Sequence, residues 1–222
     1  MPIVALRNTH LESLSGKIVL NCPASFGLVK LGFFNTDFVS WRESRTYLNV
    51  SGTIEINGWI QFGVGSKLIV DKGATLSFGD NTCIGSNTKI ICREKISIGP
   101  RFRAAWDTQI MDTNFHYIKD TLSGKVNKRT APILLGANNW IGNRCSVMQG
   151  TRTNDYFILA SNSMANRDYT QIVPPFSLMV GCPAKLLRGN VCRVLDKEER
   201  EISKLFEGSN QTAVFVDPNP KM

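Results

Sequence analysis

The sequence predicts an all-β chain wound as a parallel β-helix, with one protruding loop and a short C-terminal helix. Three observations carry that prediction: an apolar beat of six residues, glycines placed directly after several of its starts, and a polar, basic interruption in the middle of the array. In the C-terminal half the beat falls on Leu135, Ile141, Val147, Thr153, Leu159 and Ala165, with Gly136 and Gly142 following two of them. Four places after each start stands a small or polar residue, at Asn139, Cys145, Thr151 and Ser163, with Phe157 as the large exception. A six-residue period fits neither the 3.6 of a helix nor an unbroken alternation, so short strands joined by turns are required. The fifth position and the next start are two apart and point to one side of a strand. The glycine is expected to relieve backbone strain at the turn. Three such strands make one triangular coil, and stacked coils pair their backbones with the coils above and below.

Taken in chain order, residues 1–50 hold apolar stretches such as Lys17–Leu20 without a steady beat, and are expected to form irregular N-terminal coils capping the prism. Residues 51–190 form the β-helix proper. Phe78, Ile84, Ile90 and Ile96 keep the spacing there, while Val70 and Leu76 keep it two residues out of frame, so the repeat includes register shifts. Residues 99–132 interrupt it and are expected to protrude as a loop, the place where a regular scaffold carries function. Residues 191–222 are expected to form a helix, from Asp196 to Phe206, and a Pro- and Asn-rich tail.

Composition narrows the possibilities. A 222-residue chain with 42% hydrophobic and 20% charged residues is an ordinary globular protein. No run approaches the roughly 20 apolar residues of a membrane helix, and the N-terminus lacks a signal-peptide pattern, so a cytoplasmic location is expected. The six cysteines include no Cys-x-x-Cys pair and read as free thiols, not as a zinc or redox site. Lys and Arg number 26 against 18 Asp and Glu, an excess that permits an anionic partner. No aromatic-basic signature accompanies it, so nucleic acid is not an expected partner.

Three segments go beyond the bare repeat. Asp112-Thr-Asn-Phe-His116 closes an interrupted coil and is followed about twenty residues later by Leu135-Gly-Ala-Asn-Asn-Trp140-Ile141-Gly142. Leu159-Ala-Ser-Asn-Ser163 comes next, and then Pro174-Pro175 with Val180-Gly-Cys-Pro-Ala-Lys185. In this order they resemble the hexapeptide-repeat acyltransferases, particularly the maltose and galactoside O-acetyltransferase branch and relatives associated with surface-polysaccharide synthesis. The left hand of the β-helix is implied by that resemblance, since the general rule for parallel crossovers is right-handed. Ala160-Ser161-Asn162 departs from the family's Gly-Ala-Gly, and Thr153-Asn-Asp-Tyr156 from its aliphatic-Gly start.

The resemblance implies transfer of acetyl from acetyl-CoA to a sugar or polysaccharide hydroxyl, without a metal or an acyl-enzyme, by a homotrimer with clefts between neighbouring prisms. Such transfer needs a base of near-neutral pKa and a donor to the developing oxyanion. Of the two histidines, His10 and His116, only His116 stands in the family's loop, where it is the expected base. Asn143 matches the position whose backbone N–H faces the oxyanion. Asp112 and Asn114, close to His116 in sequence, either orient its imidazole, hold the acceptor, or only shape the turn, and Trp140 either walls the cleft or packs. Ser161 and Ser163 match the pantetheine track. Arg167, Lys185 and Arg188 match basic positions near the coenzyme phosphates, or are solvated charges.

Three other functions compete with this expectation. A zinc enzyme on the same prism needs about three histidine ligands, and the chain has two histidines. N-acetylation of an amino-sugar nucleotide and a non-catalytic scaffold remain as alternatives.

Overall fold

The computed structural model describes residues 1–33, 39–40 and 42–218. The chain winds as a left-handed parallel β-helix of three-stranded coils. The first coil is β1 (Ile3–Ala5), β2 (Thr9–Ser13) and β3 (Lys17–Leu20), and the second is β4 (Val29–Phe33), β5 (Thr46–Val50) and β6 (Thr53–Ile56). The third is β7 (Ile60–Gly63), β8 (Lys67–Val70) and β9 (Thr75–Phe78), and the fourth is β10 (Thr82–Ile84), β11 (Lys89–Cys92) and β12 (Lys95–Ile98). The fifth is β13 (Arg103–Ala104), β14 (Gln109–Met111) and β15 (Ile133–Leu135). Shorter strands complete the prism: β16 (Trp140–Ile141), β17 (Ser146–Met148), β18 (Ile158–Leu159), β19 (Met164–Ala165) and β20 (Leu178–Val180). The chain then doubles back in β21 (Lys185–Arg188), antiparallel to β20, before helix α1 (Asp196–Phe206).

Every strand from β1 to β20 pairs with its counterpart one coil away, and with β21 added beside β20 the sheets hold nine, seven and five strands. All ten apolar or small starts predicted from the beat are buried, from Phe78, Ile84, Ile90 and Ile96 to Thr153 and Ala165. So are the five partners two residues before a start, Asn139, Cys145, Thr151, Phe157 and Ser163. Each aliphatic rung contributes about 1.5–3 kcal/mol of hydrophobic stabilisation per large side chain. Phe157 fits the small slot because Tyr169 covers it, their rings 5.3 Å apart and both buried.

The structure revises three expectations. Residues 1–50 are regular: β1, β2 and β3 pair in parallel with β4, β5 and β6. Their beat is obscured because Ile3 pairs with Val29 and Val29 with Ile60, a far longer pitch than the eighteen residues between Ile141 and Leu159. The protruding segment is also shorter than 99–132. Phe102, Ala104, Thr108 and Ile110 continue the buried pairs of Ile90/Cys92 and Ile96/Ile98 without a missed step. Small Ala104 and polar Thr108 disguised that continuation, and the true excursion leaves after Asp112 and returns at Ala131. Residues 219–222 of the expected tail lie outside the described residues, while the helix spans the expected Asp196–Phe206.

The third revision concerns the glycines. The left-handed backbone conformation falls two residues later, at Asn81, Asn87, Asn138 and Arg144, with φ between 55° and 57°. Gly79, Gly85, Gly136 and Gly142 are instead demanded by close approach of the next coil. A Cβ on Gly85 would lie 2.4 Å from the carbonyl carbon of Ala105. Gly85→Ala is therefore expected to lose roughly 1–3 kcal/mol through forced overpacking. A urea unfolding curve that matched wild type would refute that account.

Candidate active site

The candidate site begins where β14 ends. Asp112 is 0% exposed, and its carboxylate accepts three backbone N–H groups of the preceding coil, from Arg93, Glu94 and Lys95, each at 2.8 Å. The Asp112 carbonyl also accepts the Ala131 N–H at 3.1 Å, closing the root of the excursion. Asp112 is thus not available to hold an acceptor, because both its oxygens are committed to pinning the coil. The turn-shaping alternative is the one its surroundings support.

Above this clasp the excursion is a β-hairpin. Thr113 bridges Thr130 and Lys119 bridges Val126, both antiparallel. The Asn114 N–H donates to Arg129 at 2.9 Å, so its backbone is part of the hairpin neck. At the tip, Asp120 accepts the Leu122 and Ser123 amides and the Ser123 hydroxyl, and these bonds hold its carboxyl below the usual range. Phe115 has φ 63°, which turns the chain so that the His116 N–H donates to the Asn114 carbonyl at 2.8 Å and the imidazole is exposed. The Arg93 guanidinium lies 5.0 Å from the Phe115 ring and Arg129 lies 5.5 Å from Tyr117, steadying the neck by cation–π attraction. Lys128 pairs with Glu94 at 2.8 Å, and hydrogen bonds from Lys128 and Thr130 lower the Glu94 pKa.

The second group of expected residues lies on another edge. Trp140 faces outward on the nine-stranded sheet between Arg103 and Ile158, 39% exposed. Asn143 follows at the corner leading to the seven-stranded sheet, where its side-chain oxygen accepts the Ser161 hydroxyl and its carbonyl accepts the Asn162 N–H at 3.0 Å. Ser161 is exposed, one coil along the same corner. Ser163 is not available for a coenzyme: it is buried, and its oxygen accepts the Gly181 N–H at 2.9 Å. Lys185 and Arg188 are exposed on β21, opposite Val180 and Leu178. Arg167 is exposed one face further round, after β19, with its carbonyl accepting the Arg152 N–H.

The fold therefore gathers Trp140, Asn143, Ser161, Lys185 and Arg188 along one corner. His116 departs from the opposite edge of the seven-stranded sheet. The five-residue step from Asp107 to Asp112 across that sheet amounts to roughly 16 Å of strand. Cys145, beneath the corner, donates its thiol to the Ala160 carbonyl at 3.0 Å, and burial raises its pKa, which disfavours a thiolate nucleophile. Among the described residues no three His, Cys, Asp or Glu side chains cluster as metal ligands, and no helix is long and apolar enough to cross a membrane.

Sequence reasoning missed the Asp112 clasp, because its three partners are backbone amides that leave no mark on residue identity. It also missed an outward row comprising His10, Tyr47, Lys67 and Lys89. A signal was present: Lys67 and Lys89 each directly precede an inward aliphatic residue, Leu68 and Ile90.

No protein-family model matches the sequence. Among individual proteins, the chain is 27% identical over 138 residues to Rv3034c of Mycobacterium tuberculosis, named as a probable acetyltransferase; the match covers 61% of this chain and 44% of that protein. The chain thus matches less than half the length of that relative. It is 23% identical over 157 residues to the galactoside O-acetyltransferase of Escherichia coli, covering 70% of this chain and 73% of that one. Among solved structures, the polySia specific acetyltransferase NeuO superposes with a TM-score of 0.55 at 17% identity, covering 92% of this chain and 99% of that chain.

Proposed function

We propose that this chain, a left-handed β-helix resembling the hexapeptide-repeat acyltransferases in sequence and fold, is an O-acetyltransferase that moves acetyl from acetyl-CoA to a sugar or polysaccharide hydroxyl. The observation that carries the reading is the hairpin leaving an otherwise continuous prism with an exposed His116 at its neck. The names of the relatives point the same way, one acting on galactosides and a structural neighbour on polySia.

Acetyl-CoA supplies an activated thioester carbonyl. The His116 imidazole accepts the proton of the acceptor hydroxyl as its oxygen attacks the thioester carbonyl, and returns it to the coenzyme thiolate that leaves as the C–S bond breaks. The Asn143 N–H binds the charge that develops on the carbonyl oxygen, while the Asn143 side chain is occupied by Ser161. Trp140 walls the cleft, and the exposed edge from Asn143 to Ser161 offers polar groups to an amide-rich arm. The donor set fits coenzyme A, because Lys185 and Arg188 stand exposed beyond that edge, with Arg167 on the adjoining face, to attract phosphates. Asn114 lines the approach to His116. Direct transfer suits a corner whose buried cysteine resists ionisation.

Since one prism separates His116 from Asn143 by the width of a sheet, the reading includes a homotrimer in which His116 of one copy faces the corner of the next. Thiol release from acetyl-CoA, followed across neutral sugars, amino sugars, nucleotide sugars and oligosaccharides, tests the activity. Release that requires a hydroxyl acceptor supports the reading, whereas release only with free amines would establish N-acetylation in its place. Asn143→Ala should retain activity within about threefold, since a backbone group acts there; a loss comparable to removing the base would refute that assignment.

A further inference from the structure

The outward face of the seven-stranded sheet carries a feature that the proposed transfer site does not use. Residues at one register position stack from coil to coil: His10 on Tyr47, Tyr47 on Lys67, Lys67 on Lys89, and Lys89 on Gln109. Adjacent strands lie about 4.8 Å apart, so the row from His10 to Gln109 extends ~19 Å along the prism axis. At its lower end the His10 and Tyr47 rings stack at 5.7 Å with an interplanar angle of 21°. An open groove of about 810 Å³ lies over His10, Arg45, Tyr47 and Lys67, and it continues into a recess of about 260 Å³ beside Lys89 and Gln109.

Cations outnumber carboxylates in this groove, although His10 at its lower end is bonded to Glu12 at 2.9 Å. Lys67 and Lys89 are exposed, and among the described residues neither is in an ion pair. Arg45 stands on the same wall, with Arg7 and Arg42 in the adjoining depression. Glu43 and Asp107 are the acidic residues on these walls. Cations repeating at the coil spacing match a polymer with repeating anionic groups, and lysine ammonium suits single carboxylates as a compact point charge. The stacked ring pair offers an apolar face to a pyranose. Above Lys89 the row passes to Gln109 on β14, whose end launches the hairpin bearing His116, and then to Ser146.

We infer that this ladder binds a carboxylate-bearing oligosaccharide lengthwise and leads it toward His116. The inference rests on the O-acetyltransferase reading and names its acceptor class. The test is calorimetry at low salt with oligogalacturonate and an oligosialate, each beside its carboxyl-reduced neutral counterpart. Wild type, the double variant Lys67→Ala/Lys89→Ala, and Lys197→Ala on α1 as a control would be compared. At least one carboxylated oligomer should bind, about tenfold more weakly to the double variant and unchanged to Lys197→Ala, and raised salt should weaken binding further. Equal binding of the neutral counterparts, wild-type affinity in the double variant, no binding of either carboxylated oligomer, or displacement by a single-stranded DNA of equal charge would overturn the proposal. Binding that depends on both lysines without acetyl transfer from acetyl-CoA would uphold the groove and defeat the O-acetyltransferase reading.

Discussion

His116→Ala is expected to lower kcat by about 10²–10⁴-fold, the span that loss of a positioned general base commonly produces. The thermal midpoint should stay where it is. His116 is exposed at the hairpin neck, and its backbone N–H, which the substitution retains, makes the bond to Asn114. Thiol release at saturating acceptor, measured beside a melting curve, separates a chemical role from a structural one. Full turnover in a folded variant would remove His116 from the mechanism. A parallel loss of activity and melting temperature would reassign it to holding the hairpin.

Asp112→Ala should show the opposite pattern. The substitution strips the acceptor from three backbone N–H groups and empties a buried site, and we expect a loss of about 3–5 kcal/mol. For a chain of this length that corresponds to a drop of roughly 10 °C in melting temperature. Asp112→Asn should recover only part of the loss, because one oxygen becomes a donor facing another donor. Denaturant unfolding monitored by circular dichroism checks both variants. If either instead raised the acceptor KM at wild-type stability, Asp112 would be a substrate ligand and the clasp incidental.

The contrast between these two residues shows how far the sequence could be read. The six-residue beat was legible because inward positions must be apolar or small, and that restriction is visible in residue type alone. The hairpin was legible as an interruption, although its lower boundary was obscured by Ala104 and Thr108, which satisfy the interior with little hydrophobic signal. His116 and Asn143 are assigned their proposed roles through resemblance to a family. The same resemblance also suggested Ser163, and closeness to His116 suggested Asp112, yet the local bonds of both direct them inward to structural work. Backbone partners decide such cases, and they leave no trace in composition. The regular coils before residue 50 were missed for a related reason: inserted residues lengthen their pitch, so the beat cannot be heard without knowing the pairing.

The register of the prism also acts as a ruler. Each coil bonds only to its neighbours, so a coil can be added or deleted with local consequences. Repeating the stretch from Asn57 to Phe78, one coil closed by β7, β8 and β9, would insert one more rung below β11 and lengthen the cationic row by about 4.8 Å. The hairpin root and the corner at Asn143 would keep their own surroundings. Reach along an extended acceptor and chemistry at its target are thereby set by different stretches of chain, and an engineer or a lineage can change the first by whole coils while leaving the second untouched.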